Sequence, residues 1–349
     1  LLICWLMNRY RQHIWESDNW VLRREMPEGQ RMNKNIQVAV VGAGMMGLSM
    51  SVLLTCNGIH TLLYVRHNQE KYIKRYQKIL DFLREERILT REEQKRCSSY
   101  LQVVTSYEEL QKVDCVFESA SEQLEVKHSI YEALAEHCLH LKAVASSTSA
   151  IPSLQLAEGS RIRDKILVAH PFYPPHLVSC VEIVPNKYTS EEAVQHVVDL
   201  LKYVRKTPVI IKKDAPGFVA NRLQYALLRE AIHIVERGIA TSEEVDEILM
   251  NSFAPRYTSI GIFEHFDNCG LDLARDISEE LYPDLADDTE VQKLIMDHCD
   301  KKEYGIKTDK GIYDWKKKDV EDFQRRAERP YLQKISWNIP DFYREEEDK

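Results

Sequence analysis

No stretch of this 349-residue chain approaches the roughly 20 consecutive apolar residues that a membrane-spanning helix needs. No C-x-x-C pair occurs among its eight cysteines, Cys4, Cys56, Cys97, Cys115, Cys138, Cys180, Cys269 and Cys299. That spacing indicates neither a zinc ribbon nor a disulfide scaffold, and no metal site is expected. Scattered reduced thiols fit a cytoplasmic protein. Basic residues form no stripe free of acids and the net charge is −8, so a nucleic-acid surface is not expected. There is no internal repeat.

What remains is a chain 44% hydrophobic, large enough for a substantial core and for two domains. Its first residues, Leu1-Leu2-Ile3-Cys4-Trp5-Leu6-Met7, are apolar but short and are followed by charge, a poor fit to a signal peptide. Residues 1–31 read as an extension or gene-model artefact without assigned function, with Met32 a natural start.

The most informative stretch is Gln37-Val-Ala-Val-Val-Gly42-Ala-Gly44-Met45-Met46-Gly47. It joins a β-branched strand to an amphipathic helix ending at Gly58, and a second strand follows at His60–Val65. A G-x-G-x-x-G in that context opens the first unit of a dinucleotide-binding fold. Gly42 permits the tight turn, Gly44 lets the backbone approach a pyrophosphate, and Gly47 lets helix and strand pack closely. N–H groups at the helix start hold the phosphate charge.

Beyond it, residues 68–96 read as a helical hairpin, with Thr90 and Glu93 capping its second helix and Lys71, Lys74, Arg75 and Lys78 along one side. Strands are expected at Leu101–Val104, Asp114–Glu118, Ala143–Ser146, Lys165–Ala169, Cys180–Val184 and Val209–Ile211, with helices near 124–139 and 190–204. This alternation predicts an α/β fold: a Rossmann-type doubly wound, mostly parallel sheet over residues 32–213 carrying a helical hairpin insertion. After Lys213 the pattern turns helical. Asp214 and Pro216 are expected to start a long helix stopped at Gly238, and Thr241 with Glu244 caps the next. An all-α C-terminal domain is thus expected over 214–316, and a charged tail over 317–349.

Candidate chemistry sits where strands end. His170 closes the strand from Ile166, and Glu182 lies twelve residues on, across a loop containing Pro171, Pro174 and Pro175. A buried Glu accepting from one imidazole nitrogen fixes the tautomer and leaves the other as a base; a purely structural pair is the alternative. Ser149, after the strand Ala143–Ser146, and Asn221, in the first turns of the long helix, are placed to hydrogen-bond a substrate oxygen.

These residues together resemble the 3-hydroxyacyl-CoA dehydrogenase family over roughly residues 35–315. Gly42-Ala-Gly-Met-Met-Gly47 is similar to its G-x-G-x-M-G, and Glu118-Ser-Ala-Ser-Glu122 with Lys127 to its E-x-x-x-E segment. Ser146-Ser-Thr-Ser149 resembles S-N-T-S, and His170-Pro-Phe-Tyr-Pro174 through Val181-Glu182 resembles H-x-F-N-P…V-E. Asp214-Ala-Pro-Gly-Phe-Val-Ala-Asn221-Arg222 is similar to D-x-P-G-F-x-x-N-R, and Gly305 to Tyr313 to G-x-K-T-G-x-G-F-Y. The resemblance implies an L-3-hydroxyacyl-CoA oxidised at C3 by hydride transfer to NAD, in fatty-acid metabolism. His170 would be the base, Glu182 its orienting partner, and Ser149 and Asn221 the oxygen contacts. Gly42, Gly44, Met45, Met46 and Gly47 would hold the dinucleotide, with Glu122 and Lys127 along the nicotinamide ribose. The family dimerises through its helical domain, so a homodimer is implied, and it uses the hairpin arm for coenzyme A.

Two departures leave alternatives open. The acidic residue expected at the end of the second strand is replaced by Val65, followed by Arg66 and His67, so NADP is an alternative to NAD. The His170-Pro171 and Pro174-Pro175 elements, with Asn221-Arg-Leu-Gln-Tyr-Ala226, look closer to the lambda-crystallin (L-gulonate 3-dehydrogenase) and L-carnitine dehydrogenase branches, which act on free hydroxy acids. Tyr173 replaces the usual Asn and Asp309 a glycine. A third reading is a non-catalytic, crystallin-like scaffold; His170, Glu182, Ser149 and Asn221 together argue against it.

Overall fold

Short apolar runs alternate with amphipathic helices from Gln37 on, and each run becomes a buried strand. The structure, a computed structural model, describes residues 36–333 and 335. The 1–31 extension and the acidic end of the tail lie outside the described residues.

Eight strands form one sheet: β1 (Gln37–Val41), β2 (His60–Tyr64), β3 (Leu101–Val104), β4 (Cys115–Glu118), β5 (Ala143–Ser146), β6 (Ile166–Pro171), β7 (Cys180–Val184) and β8 (Thr207–Ile210), in the order β3-β2-β1-β4-β5-β6-β7-β8. All neighbouring pairs are parallel except β6 with β7. The strand order reverses beside β1, where open α/β sheets leave a crevice beyond their carboxyl ends.

Helix α1 (Met45–Thr55) is buried along most of its length, as expected of the element packed under a phosphate loop. The arm consists of α2 (Gln69–Glu85) and α3 (Arg91–Ser99). Its capping box forms as expected: Thr90 N–H donates to Glu93 at 2.7 Å and Glu93 N–H to Thr90 Oγ1 at 3.2 Å. Helices α4 (Leu124–His137), α5 (Ser153–Ala157) and α6 (Glu191–Tyr203) follow their strands. On one sheet face Ala39, Val41, Val116, Val144, Ile166 and Val168 pack with Ile130, Tyr131 and Leu134 of α4.

After β8 the described chain is helical: α7 (Ala220–Glu236), α8 (Ser242–Asn251), α9 (Ile262–Cys269), α10 (Leu271–Leu281), α11 (Lys293–Asp300) and α12 (Val320–Leu332). Of the boundaries that differ from the sequence expectation, three have a visible cause. Asp214 does not start the long helix; its carboxylate accepts from Ser153 N–H at 2.8 Å, while Gly217 (φ +75°) and Phe218 (φ +50°) turn the chain left-handed and delay α7 to Ala220. Strand β6 continues through His170 and Pro171, because both pair across to β7. Part of the charged stretch after residue 316 is helix, since α12 gathers Val320, Phe323 and Leu332 among its charges and buries Leu332.

Candidate active site

The glycine loop shows why Gly42 and Gly47 are needed. At Gly42 (φ +105°) a Cβ would lie 2.5 Å from the Ser119 carbonyl oxygen, and at Gly47 it would lie 1.8 Å from that of Gly42. Gly44 differs: nothing lies within 4 Å of its added Cβ, so that side is open. Gly42 and Gly44 line a cavity of about 450 Å³ with Val65, Arg66, Tyr107 and Ser119. Exposed backbone at a helix start beside such a cavity fits a dinucleotide's phosphates. Met45 is exposed and Met46 half-buried in the first turn of α1.

Strand register aligns the next group. Val41 pairs with Glu118 and Glu118 with Ser146, so three carboxyl ends form one row. Glu118 is fully buried and receives 2.9 Å hydrogen bonds at both oxygens from Lys127 Nζ. Ser146 Oγ donates at 2.7 Å, Tyr131 hydroxyl at 3.1 Å and Ala120 N–H at 2.7 Å. A buried ion pair is tolerated when its remaining lone pairs are filled this way. Burial, then the Glu118 charge, pushes the Tyr131 hydroxyl well above its ordinary range.

Lys127 also lies 3.5 Å from Glu122. Glu122 accepts from the Thr148 hydroxyl and, at 3.2 Å, from the N–H groups of Ser149 and Ala150. Burial works against the ionised carboxyl, but Thr148, Lys127 and the backbone donors outweigh it and hold Glu122 below the usual range. Ser149 is therefore fixed through its backbone and is itself exposed.

His170 and Glu182 meet directly. Nδ1 and Oε2 are 3.0 Å apart, both residues are buried, and they are registered partners across β6 and β7. Phe172 and Phe218 stand against the imidazole with ring centroids at 4.9 and 5.2 Å. The second Glu182 oxygen accepts from Val219 N–H at 2.9 Å and Ala220 N–H at 3.0 Å. It thereby serves the start of α7, where a carboxylate is favoured. Asn221 is the next residue, half-buried in the first turn of the helix.

Sequence reading missed Glu118 as a hub, although it opens the quoted E-x-x-x-E segment. It also missed a buried trio beside α1. His176 Nδ1 lies 2.6 Å from Ser49 Oγ, and Lys206 Nζ donates to the carbonyls of His176 (3.2 Å) and Val178 (2.8 Å). Burial, then Lys206, lowers His176 to about 3, and burial lowers Lys206 to about 7. No motif marks these residues, since only the loop after β6 brings them together. Among the described residues no cluster of His, Cys, Asp or Glu fits a metal ion, and no helix is long and apolar enough to cross a membrane.

Comparison with known proteins follows the same division. Residues 37–215 match the family described as 3-hydroxyacyl-CoA dehydrogenase, NAD binding domain, and residues 217–315 match 3-hydroxyacyl-CoA dehydrogenase, C-terminal domain. A 5-formyl-3-hydroxy-2-methylpyridine 4-carboxylate 5-dehydrogenase of Mesorhizobium japonicum is 31% identical over 57% of this chain and 65% of its own length. An L-carnitine dehydrogenase of Oceanobacillus iheyensis is 32% identical over 67% of this chain and 76% of its own. A solved structure of the former activity, described as an NAD+ dependent dismutase, superposes with a TM-score of 0.76 at 26% identity, covering 85% of this chain and 96% of that one. The 3-hydroxybutyryl-CoA dehydrogenase of Escherichia coli K12 gives 0.68 at 26% identity, covering 81% and 60%. With both family segments matched in order and the sheet built as the motifs require, the chain belongs to the 3-hydroxyacyl-CoA dehydrogenase family of oxidoreductases.

Proposed function

We propose that the protein interconverts an L-3-hydroxy substrate and its 3-keto form, with His170 as the acid–base group. The observation that carries this is the buried 3.0 Å contact between His170 Nδ1 and Glu182. An ionised carboxylate only accepts, so Nδ1 carries the proton and Nε2 keeps a lone pair for the substrate hydroxyl. The bound nicotinamide supplies the hydride acceptor. Glu182 holds the ring in place and stabilises the imidazolium formed when His170 takes the proton. Asn221 and Ser149 contact the oxygen that gains charge, and Phe172 and Phe218 keep water from the imidazole. Glu122 faces the nicotinamide ribose; Lys127, expected beside it, is buried against Glu118 and acts on the ribose only through Glu122, 3.5 Å away.

Of the two substrate classes in the family, one observation favours the free hydroxy acid over the acyl-CoA. A cavity of about 520 Å³ lies beside Tyr173, between the arm and α12. Arg75, Lys78 and Arg325 line it, but so do Glu85, Glu321 and Glu328. Three carboxylates against three cations leave no positive surplus for a polyanionic nucleotide tail on the arm. Burial, then Glu86, raises Glu328 above its ordinary range. The test is turnover of acetoacetyl-CoA against L-carnitine and L-gulonate, read by nicotinamide absorbance. Faster reaction of a free acid supports this reading; faster reaction of the thioester moves the assignment to acyl-CoA.

Large apolar side chains stand exposed on the helices after residue 220, among them Leu223 and Tyr225 on α7, Phe263 on α9 and Leu271 on α10. Their number fits a homodimer buried through this helical part; light scattering of the purified chain tests it.

A further inference from the structure

We propose that the end of β2 forms a 2′-phosphate site, so that the protein binds NADP(H) in preference to NAD(H), with Arg66 as the residue that reads the phosphate. The inference rests on the dinucleotide-binding assignment and refines it.

The adenosine side of the cavity is built from the glycine loop, the end of β2 and the Ser119–Ser121 turn. An enzyme selecting NAD places a carboxylate after this strand, which accepts from the ribose hydroxyls and repels a 2′-phosphate. Here that position is Val65, 4% exposed and without a hydrogen-bonding side chain. Among the described residues lining the cavity there is no Asp or Glu, and Arg66 is the one Lys or Arg. Arg66 is exposed, and no carboxylate pairs with it among the described residues. Arg66 and Tyr107 line the same cavity, and the Arg66 charge opposes the upward push that burial and then Tyr64 give the Tyr107 hydroxyl. Tyr64 and Tyr107 stack with centroids 4.3 Å apart and form an aromatic wall for the same end of the cavity.

Each selection element therefore points one way. The group that would favour the ribose hydroxyls is absent. The group that repels phosphate is absent too. A planar donor fork, suited to bidentate phosphate contact and free of a competing acid, stands in their place. His67, exposed beside it, adds a second donor.

The experiment is direct binding to the full chain, by calorimetry, of NADPH, NADH, 2′,5′-ADP and 5′-AMP. NADPH is expected to bind about tenfold or more tighter than NADH, and 2′,5′-ADP tighter than 5′-AMP by a similar factor. Arg66→Ala should remove about tenfold of NADPH affinity and leave NADH within about twofold; Val65→Asp should invert the preference. Equal or tighter NADH binding by the unaltered chain would overturn the inference, as would an Arg66→Ala loss shared equally by both dinucleotides. The adenosine bisphosphate comparison needs no variant and stands whatever the variants do. Failure of all four ligands to bind would remove the dinucleotide assignment together with this one, whereas tight NADH binding alone removes only this one.

Discussion

Glu182 divides its two carboxylate oxygens between His170 Nδ1, at 3.0 Å, and the N–H groups of Val219 and Ala220 at the start of α7. One side chain therefore orients the imidazole proposed as the base and fixes the helix that carries Asn221. Replacing it with Gln keeps one acceptor but ends both charge-assisted contacts. Glu182→Gln is expected to lower kcat by about a hundredfold and to reduce the melting temperature. Unchanged kcat with a lowered melting temperature would mean that the pair is only structural.

His170→Ala removes the proposed base while its neighbours Phe172 and Phe218 remain. A loss of about 10²- to 10⁴-fold in kcat is expected, as for a general base. Dinucleotide affinity should stay put. Near-normal turnover would end the acid–base role.

The glycine loop offers a paired test. Gly47→Ala places a Cβ 1.8 Å from the Gly42 oxygen, so the loop must move, at a cost of about 1–3 kcal/mol in urea unfolding. Gly44→Ala meets no atom within 4 Å and should fold normally. Its methyl points where a ligand's phosphates are expected, so its defect should appear in dinucleotide affinity alone.

Lys127→Met leaves the fully buried Glu118 carboxylate without its cation. Breaking one side of such a pair costs about 3–5 kcal/mol, while removing both charges costs far less. The double variant Glu118→Gln/Lys127→Met should recover most of the stability lost by the single one. A double variant as unstable as the single would show that Lys127 acts through something other than the ion pair.

His176 sets a direction for acid stability. Burial, followed by Lys206, lowers it from the ordinary 6.5 to about 3. Between those values the unfolded chain binds a proton that the folded chain refuses, so stability should fall as pH drops from 6.5 toward 3 and lose nothing more from this group below that. His176→Asn, which keeps a polar atom for Ser49, should flatten that part of the melting-temperature profile. A profile as steep as before would assign the acid loss to other groups.

Legibility in the sequence followed the range of the interaction. The loop Gly42–Gly47, the Thr90–Glu93 and Thr241–Glu244 capping boxes and the stop at Gly238 depend on residues near one another in the chain, and all were readable. The start of α7 was not. Asp214 offered a conventional cap, but it is engaged by Ser153, and the actual acceptor is Glu182, 38 residues before Ala220. The same limit hid the Glu118 hub, because its side-chain donors come from two separate elements: Lys127 and Tyr131 from α4, and Ser146 from β5, aligned by strand register. His170 and Glu182 were found because each closes or crosses an apolar run. Their contact depended on an antiparallel turnback that the prolines only hinted at.

That reversed strand has a dynamic consequence. In an all-parallel sheet the residue facing the end of β6 would sit where its own strand runs out into a loop. Because β7 runs the other way, Glu182 falls at the middle of its strand, laddered to His170 on one side and to Val209 on the other. The spacing between imidazole and carboxylate should then fluctuate with the sheet rather than with a surface loop. Its amide is expected among the slowest to exchange in deuterated water, outlasting those of the arm.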